Sequence, residues 1–163
     1  MPIAAPEGAS ELVIEFIEIC SAALSDSARI GGLLAERGWQ AMPGPDDYDA
    51  LAGVLGAEHA ALGVSLQVIP LDYPHVKGTG CSIHGYQSDN LSLTSLSGLD
   101  QVPGFLGGFK SFGSDSEATH LGRWSAIAPD GEPITITAML MPDTEFLNLS
   151  MNHARRVQPD ADT

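Results

Sequence analysis

The chain has few basic residues. Its 163 residues include seven Lys and Arg against 21 Asp and Glu, which gives a formal net charge of −14. Phosphate backbones and anionic lipid surfaces are bound mainly through clustered Lys and Arg. Nucleic acid and membranes are therefore not expected as partners. The acidity favours solubility, and it also suits a basic protein partner attracted by the field of the chain.

Long apolar runs are also lacking. No stretch approaches the roughly 20 apolar residues that span a bilayer. The start, MPIAAPEGAS, has neither a basic n-region nor an apolar h-region, so no signal peptide is expected. The chain as given therefore indicates a cytoplasmic protein, or a processed exported one. Its length suits a single domain, 1–163, with a loose leader at 1–9 and a polar tail at 155–163.

Only two cysteines are present, Cys20 and Cys81. Two buried thiols would fit a reducing compartment, and one disulfide would fit an oxidising one, so the count leaves both open.

Metal and cofactor motifs are missing. The sequence has no HxH, HExxH or CxxC, and its glycine-rich stretches match neither the P-loop pattern nor a dinucleotide fingerprint. We therefore expect neither a metal site nor a cofactor. The histidines that would have to converge on a metal are His59, His75, His84, His120 and His153.

The clearest element is an amphipathic helix at 10–24. Apolar side chains such as Leu12, Phe16 and Cys20 recur at helical spacing, and the glutamates fall on the opposite side. Ser10 is placed to cap the first turn. A second helix is predicted at 27–37, closed by Gly38, and a third at 45–62, closed by Gly63.

After Gly63 the hydrophobic period changes from 3.6 to 2. Alternating residues predict strands at 64–70, 81–86, 120–127, 134–140 and 147–152, with a turn at Gly78–Gly80. Residues 91–99 favour a short helix, and 105–112 are compatible with strand or loop. Short connections favour an antiparallel meander. The predicted class is α+β, with the N-terminal helices on one face of a mostly antiparallel sheet of four to six strands.

Reactive side chains are densest near Cys81. A thiolate beside a histidine would be a nucleophile, but Cys81 and His84 are three apart on a predicted strand and so point to opposite faces. A core position, or a bond to Cys20, is the alternative role of Cys81. Further along, Trp124, His120 and Arg123 are candidates for the lining of a ligand cleft.

One combination of residues resembles a set of small exported bacterial proteins of unknown function. It consists of Phe16-x-x-x-Cys20, Gly38-Trp39 and Cys81 at mid-chain, so it covers mainly residues 10–40 plus Cys81. The resemblance implies a periplasmic setting and a Cys20–Cys81 bridge between the first helix and the sheet. It implies no activity.

Three functions follow as hypotheses. The leading one is a non-catalytic binding or protein-interaction domain, dimeric through an exposed sheet face or edge, because no catalytic set converges beside a well-patterned core. The second is a small hydrolase using Cys81, His84 or His120. The third is an acidic, chaperone-like partner of a basic client.

Overall fold

The fold is that of a computed structural model, which describes residues 5–25, 29–41, 55–86, 96, 98–109, 119–128, 131–141 and 146–156. The helices are α1 (Glu11–Ser25) and α2 (Ile30–Glu36), and a 3₁₀ turn occupies Leu99–Gln101. The strands are β1 (Gln40–Ala41), β2 (Leu55–His59), β3 (Val64–Tyr73), β4 (Val76–Tyr86), β5 (Leu106–Phe109), β6 (Thr119–Ile127), β7 (Pro133–Met141) and β8 (Phe146–Arg156).

All these strands belong to one antiparallel sheet with the order β1-β2-β3-β4-β8-β7-β6-β5. It consists of two meanders, β1 to β4 and β5 to β8, joined where β8 pairs with β4. The predicted α+β class is confirmed. The predicted four to six strands are too few, because the described sheet holds seven strands of four residues or more and the two-residue β1 at its edge.

Helix α1 matches its prediction except at Glu15, which is buried rather than turned away from the apolar stripe. The Ser10 hydroxyl accepts a hydrogen bond from the Val13 amide at 3.2 Å, as expected of an N-cap. Phe16, Ile17 and Cys20 are fully buried where α1 packs on β4 and β8. The core therefore lies between the helices and one face of the sheet.

Helix α2 ends as the sequence predicts. Gly38 has a φ of +85°, and the Trp39 amide donates to the Leu34 carbonyl at 3.0 Å, which is the six-to-one bond of a Schellman motif. This stop turns the chain from α2 into the edge strand β1.

The predicted third helix is wrong in its described part. Residues 45–54 lie outside the described residues, but Leu55–His59 form strand β2, which pairs with β3. Ala57 and His59 are buried, and Glu58 between them is exposed, so the true period is 2. Pairing with a neighbouring strand has overridden the helix propensity of the stretch 50–62, in which five residues are alanine.

Two smaller expectations are also wrong. The predicted turn at Gly78–Gly80 lies inside β4, where a side chain on Gly78 would collide with the backbone of His153 on β8. These glycines permit close approach of strands rather than a turn. At the other end, β8 continues to Arg156, so the predicted polar tail begins too early. Of the segments left open, Leu106–Phe109 form β5.

Among the described residues, no helix has the length and apolar character needed to cross a bilayer.

Candidate functional site

The two cysteines form a disulfide. Their sulfur atoms are 2.07 Å apart and their Cα atoms 5.5 Å apart, and both residues are buried between α1 and β4. A disulfide sulfur is not a thiolate and does not attack a substrate as one. The structure therefore contradicts Cys81 as a hydrolase nucleophile, and it contains the bridge that the sequence resemblance implied.

His84 lies on the side of β4 opposite Cys81. Its ring centroid is 5.6 Å from that of Phe146 on β8, and Phe146 is 5.6 Å from Tyr86. In register, His84 is opposite Ser65 on β3 and Asn148 on β8. Among these described neighbours none is an acid that would orient His84 as a general base. Burial lowers the pKa of His84 below its ordinary 6.5.

This shift predicts an acid-sensitive contribution to stability. Because the pKa of His84 is lower in the folded state, the unfolded chain binds more protons, and stability rises with pH. The stabilising contribution of the uncharged His84 side chain is complete above pH 6.5. It is lost as the pH falls from 6.5 towards the pKa that His84 has in the folded protein. Urea titrations at several pH values should show a smaller decline for His84→Gln than for the wild type. Equal declines in the two proteins would contradict the assignment to His84.

The residues of the expected ligand cleft are not brought together. Trp124 is buried on the helix side of β6, where its Nε1 donates to Asp100 Oδ1 at 3.2 Å. Arg123 is exposed on the opposite side of the same strand. His120 pairs in register with Met139, next to a register shift in β6, and its side chain lies outside the described part. The predicted cleft between Arg123 and Trp124 is therefore wrong, because adjacent strand residues point to opposite faces.

The remaining histidines are dispersed. His59 is buried on β2, His75 is exposed in the β3–β4 turn, and His153 lies on β8. Within the described ranges, no three His, Cys, Asp or Glu side chains are grouped so that they could hold a metal ion.

A buried polar cluster, which the sequence did not reveal, joins α1 to the α2–β1 connection. The Glu15 carboxylate accepts hydrogen bonds from Arg37 Nε at 3.1 Å and from Trp39 Nε1 at 3.0 Å. Arg37 also pairs with Glu18, and Trp39 meets His59 edge to face at 5.2 Å. Burial opposes the charge of Arg37, but the two glutamates outweigh it and raise the pKa of Arg37.

This cluster links α1 to the α2–β1 connection and, through the contact of Trp39 with His59, to strand β2 of the sheet. It shows no unsatisfied group that would point to a ligand, because no buried side-chain N or O atom lacks a partner in the described part of the chain. No local pattern indicates this cluster, because Glu15 and Arg37 are 22 residues apart.

The side of the sheet opposite the helices is the remaining candidate surface, and we call it the open face. It is formed by every second residue of five consecutive strands. Its central members are Ser65, Gln67 and Ile69 on β3, Ser82, His84 and Tyr86 on β4, Phe146, Asn148, Ser150 and Asn152 on β8, Thr135, Thr137 and Met139 on β7, and Arg123, Ser125 and Ile127 on β6.

The middle of the open face is polar and half-buried. Thr137 Oγ1 and Ser150 Oγ are 2.5 Å apart across β7 and β8, and Ser82 lies beside Ser150 in register. Large apolar side chains surround this centre. Every exposed large hydrophobic residue among those described lies on this side of the sheet, on its central strands or on β5: Ile69, Tyr73, Tyr86, Leu106 and Ile127.

The open face differs from the rest of the chain in its content of acidic residues. On β3, β4, β6, β7 and β8, none of the described residues that face this way is Asp or Glu, although the chain has 21 of them. Arg123 contributes an exposed positive charge. Among the described residues of the neighbouring strands, Glu58 on β2 is an acid that faces the same side, towards the sheet edge.

Comparison with known proteins yielded no matching family model, no similar curated protein and no similar solved structure.

Proposed function

We propose that the protein is a non-catalytic interaction domain that forms a homodimer through its open face. The observation that carries this proposal is the location of the exposed large hydrophobic residues, which fall on that side alone among the described residues. Their restriction to one side of the sheet supports an interaction surface there, because apolar residues that bind a partner are grouped on one part of the surface rather than scattered over all of it.

The charge distribution supports a second copy as the partner. Two chains with a net charge of −14 repel one another. That repulsion is smallest where the approaching surfaces carry no carboxylates, and the five central strands of the open face meet this condition. Dimer contact through this surface therefore avoids burying unpaired acids, which would be strongly unfavourable.

The size and composition of the surface also suit an interface. Five strands about 4.8 Å apart and about seven residues long cover a footprint of about 550 Å². Side-chain relief makes the accessible area larger than this footprint, and a standard interface takes roughly 800 Å² from each partner. Tyr86, Phe146, Met139 and Arg123 belong to the residue types that are enriched in interfaces.

The disulfide supports a location for this function. Disulfides persist in oxidising compartments and are rare where glutathione keeps thiols reduced. We therefore place the protein outside the reducing cytosol, in the periplasmic setting that the Phe16, Cys20 and Trp39 resemblance implies. Labelling of intact cells with a thiol reagent, before and after reduction, tests this location.

Dimerisation is tested by placing a charge at the centre of the open face. Ser82→Arg brings two cations together across the interface, and we expect the dissociation constant to rise about tenfold or more. Sedimentation equilibrium over a range of protein concentrations measures this constant. Ser25→Arg, at the exposed end of α1, introduces the same side chain away from the face and should leave the constant unchanged.

Two results would overturn the proposal. One is a wild-type protein that stays monomeric at its highest soluble concentration. The other is a Ser82→Arg variant that dissociates no more readily than Ser25→Arg while both keep the wild-type circular dichroism spectrum.

A further inference from the structure

We infer that the two-fold axis of this dimer runs parallel to the strands, between β4 and β8, and that it pairs Glu58 of each subunit with the partner subunit's Arg123. This inference rests on the proposed open-face dimer and adds its orientation. It assigns a recognition role to two charged residues for whose side chains the described part of the chain shows no hydrogen bond or ion pair.

Glu58 and Arg123 are placed symmetrically on the sheet. Glu58 lies on β2, two strands from β4, and Arg123 lies on β6, two strands from β8. Each is therefore about 12 Å from the line between β4 and β8. Both side chains are exposed on the same side of the sheet, because their strand neighbours Ala57, His59 and Trp124 are buried on the other.

The two residues also lie within one cross-strand row of each other along the strand direction. Register places Glu58 in one cross-strand row and Arg123 in the next row, two residues along. The first row contains Glu58, Ser65, His84, Asn148 and Met139, and the second contains Gln67, Ser82, Ser150, Thr137 and Arg123. Neighbouring rows on one face are about 6.6 Å apart, and packed sheets are about 10 Å apart. Side chains as long as Arg and Glu bridge that separation together.

The direction of the axis decides which charges meet. An axis parallel to the strands lays β2 of one subunit over the partner's β6, so each Glu58 faces an Arg123. An axis across the strands lays β2 over β2 and β6 over β6, so like charges approach. Opposite charges favour the first arrangement, and like-charge contacts suppress the second.

The aromatic end of the open face agrees with the same axis. Tyr86 on β4 and Phe146 on β8 lie opposite one another in register, on either side of the line between these strands. A rotation about that line places Tyr86 of one subunit against the partner subunit's Phe146. The two aromatic pairs then form one four-ring cluster, and aromatic contacts of this kind stabilise interfaces.

Charge reversal at the two positions tests the pairing. Glu58→Arg and Arg123→Glu should each raise the dissociation constant about tenfold, because each creates two like-charge contacts across the interface. The double variant exchanges the charges, restores both pairs, and should return the constant to within about threefold of the wild type. The single effects should shrink at high salt, because exposed charges are screened.

Matched controls remove the effect of net charge. Glu36→Arg changes the charge by the same amount as Glu58→Arg, and Arg29→Glu matches Arg123→Glu; both lie on α2 or beside it, away from the open face. We expect these variants to dimerise like the wild type.

The possible outcomes separate the orientation from the dimer itself. Rescue in the double variant supports the Glu58–Arg123 pairing. If the wild type is a dimer but the double variant has a dissociation constant as high as that of the single variant that dimerises more weakly, this orientation is wrong. The open-face dimer itself is not contradicted by that result. A monomeric wild type overturns the dimer first, and the orientation with it.

Discussion

Removing the Cys20–Cys81 disulfide is expected to lower the free energy of unfolding by about 4 kcal/mol, because the bond closes a long loop. The two cysteines are 61 residues apart in sequence. Without the cross-link, the unfolded chain gains the conformational freedom of that loop, and the folded state loses its covalent tie between α1 and β4. Since small domains are stable by only about 5 to 15 kcal/mol, this is a large fraction of the total.

Urea unfolding of the wild type with and without a reducing agent measures the effect. The Cys20→Ser/Cys81→Ser double variant is the control, because its stability should not respond to the reducing agent. A loss below about 1 kcal/mol in both the reduced wild type and the double variant would contradict the expected role of the bond.

The helical part of the fold is readable from sequence because its signals are local. The Ser10 cap and the apolar stripe of α1 involve residues within one or two turns of each other, and Gly38 marks the end of α2 by its left-handed conformation. The alternating strands after Gly63 were located for the same reason. These are properties that neighbouring residues determine together.

The topology is not readable because it depends on long-range pairing. Nothing in the sequence indicated that the last strand, β8, would insert beside β4 and separate the two meanders. Strand β2 is difficult to assign because its five residues, Leu55–His59, are too few to show a clear period of their own and lie within an alanine-rich stretch that favours a helix.

The candidate surface is likewise predictable only where local sequence determines it. Alternation in β6 already places Arg123 and Trp124 on opposite sides, yet the aromatic and basic pair suggested a shared cleft. The open face emerges only when five strands are ordered, because Tyr86 and Phe146 are neighbours in space and 60 positions apart in numbering. Its lack of carboxylates is likewise a property of the assembled sheet rather than of any segment.

Replacing Arg37 by Met is expected to destabilise the protein by about 2 to 3 kcal/mol. The substitution leaves the Glu15 carboxylate in place, with Trp39 Nε1 as its remaining hydrogen-bond donor among the bonds described above. Breaking a fully buried ion pair from one side costs roughly 3 to 5 kcal/mol. The expected loss here is smaller because the Arg37 side chain is 24% exposed and that of Glu15 is 10% exposed.

A second substitution distinguishes an unpaired charge from lost packing. In Glu15→Gln/Arg37→Met the charge is gone, and the glutamine oxygen still accepts from Trp39, so about half of the lost stability should return. Arg29→Met makes the same change at an exposed site and should alter stability by no more than about 0.5 kcal/mol. If Arg37→Met unfolded in urea at the same midpoint as Arg29→Met, the Glu15 cluster would not be what fastens α1 and the α2–β1 connection together.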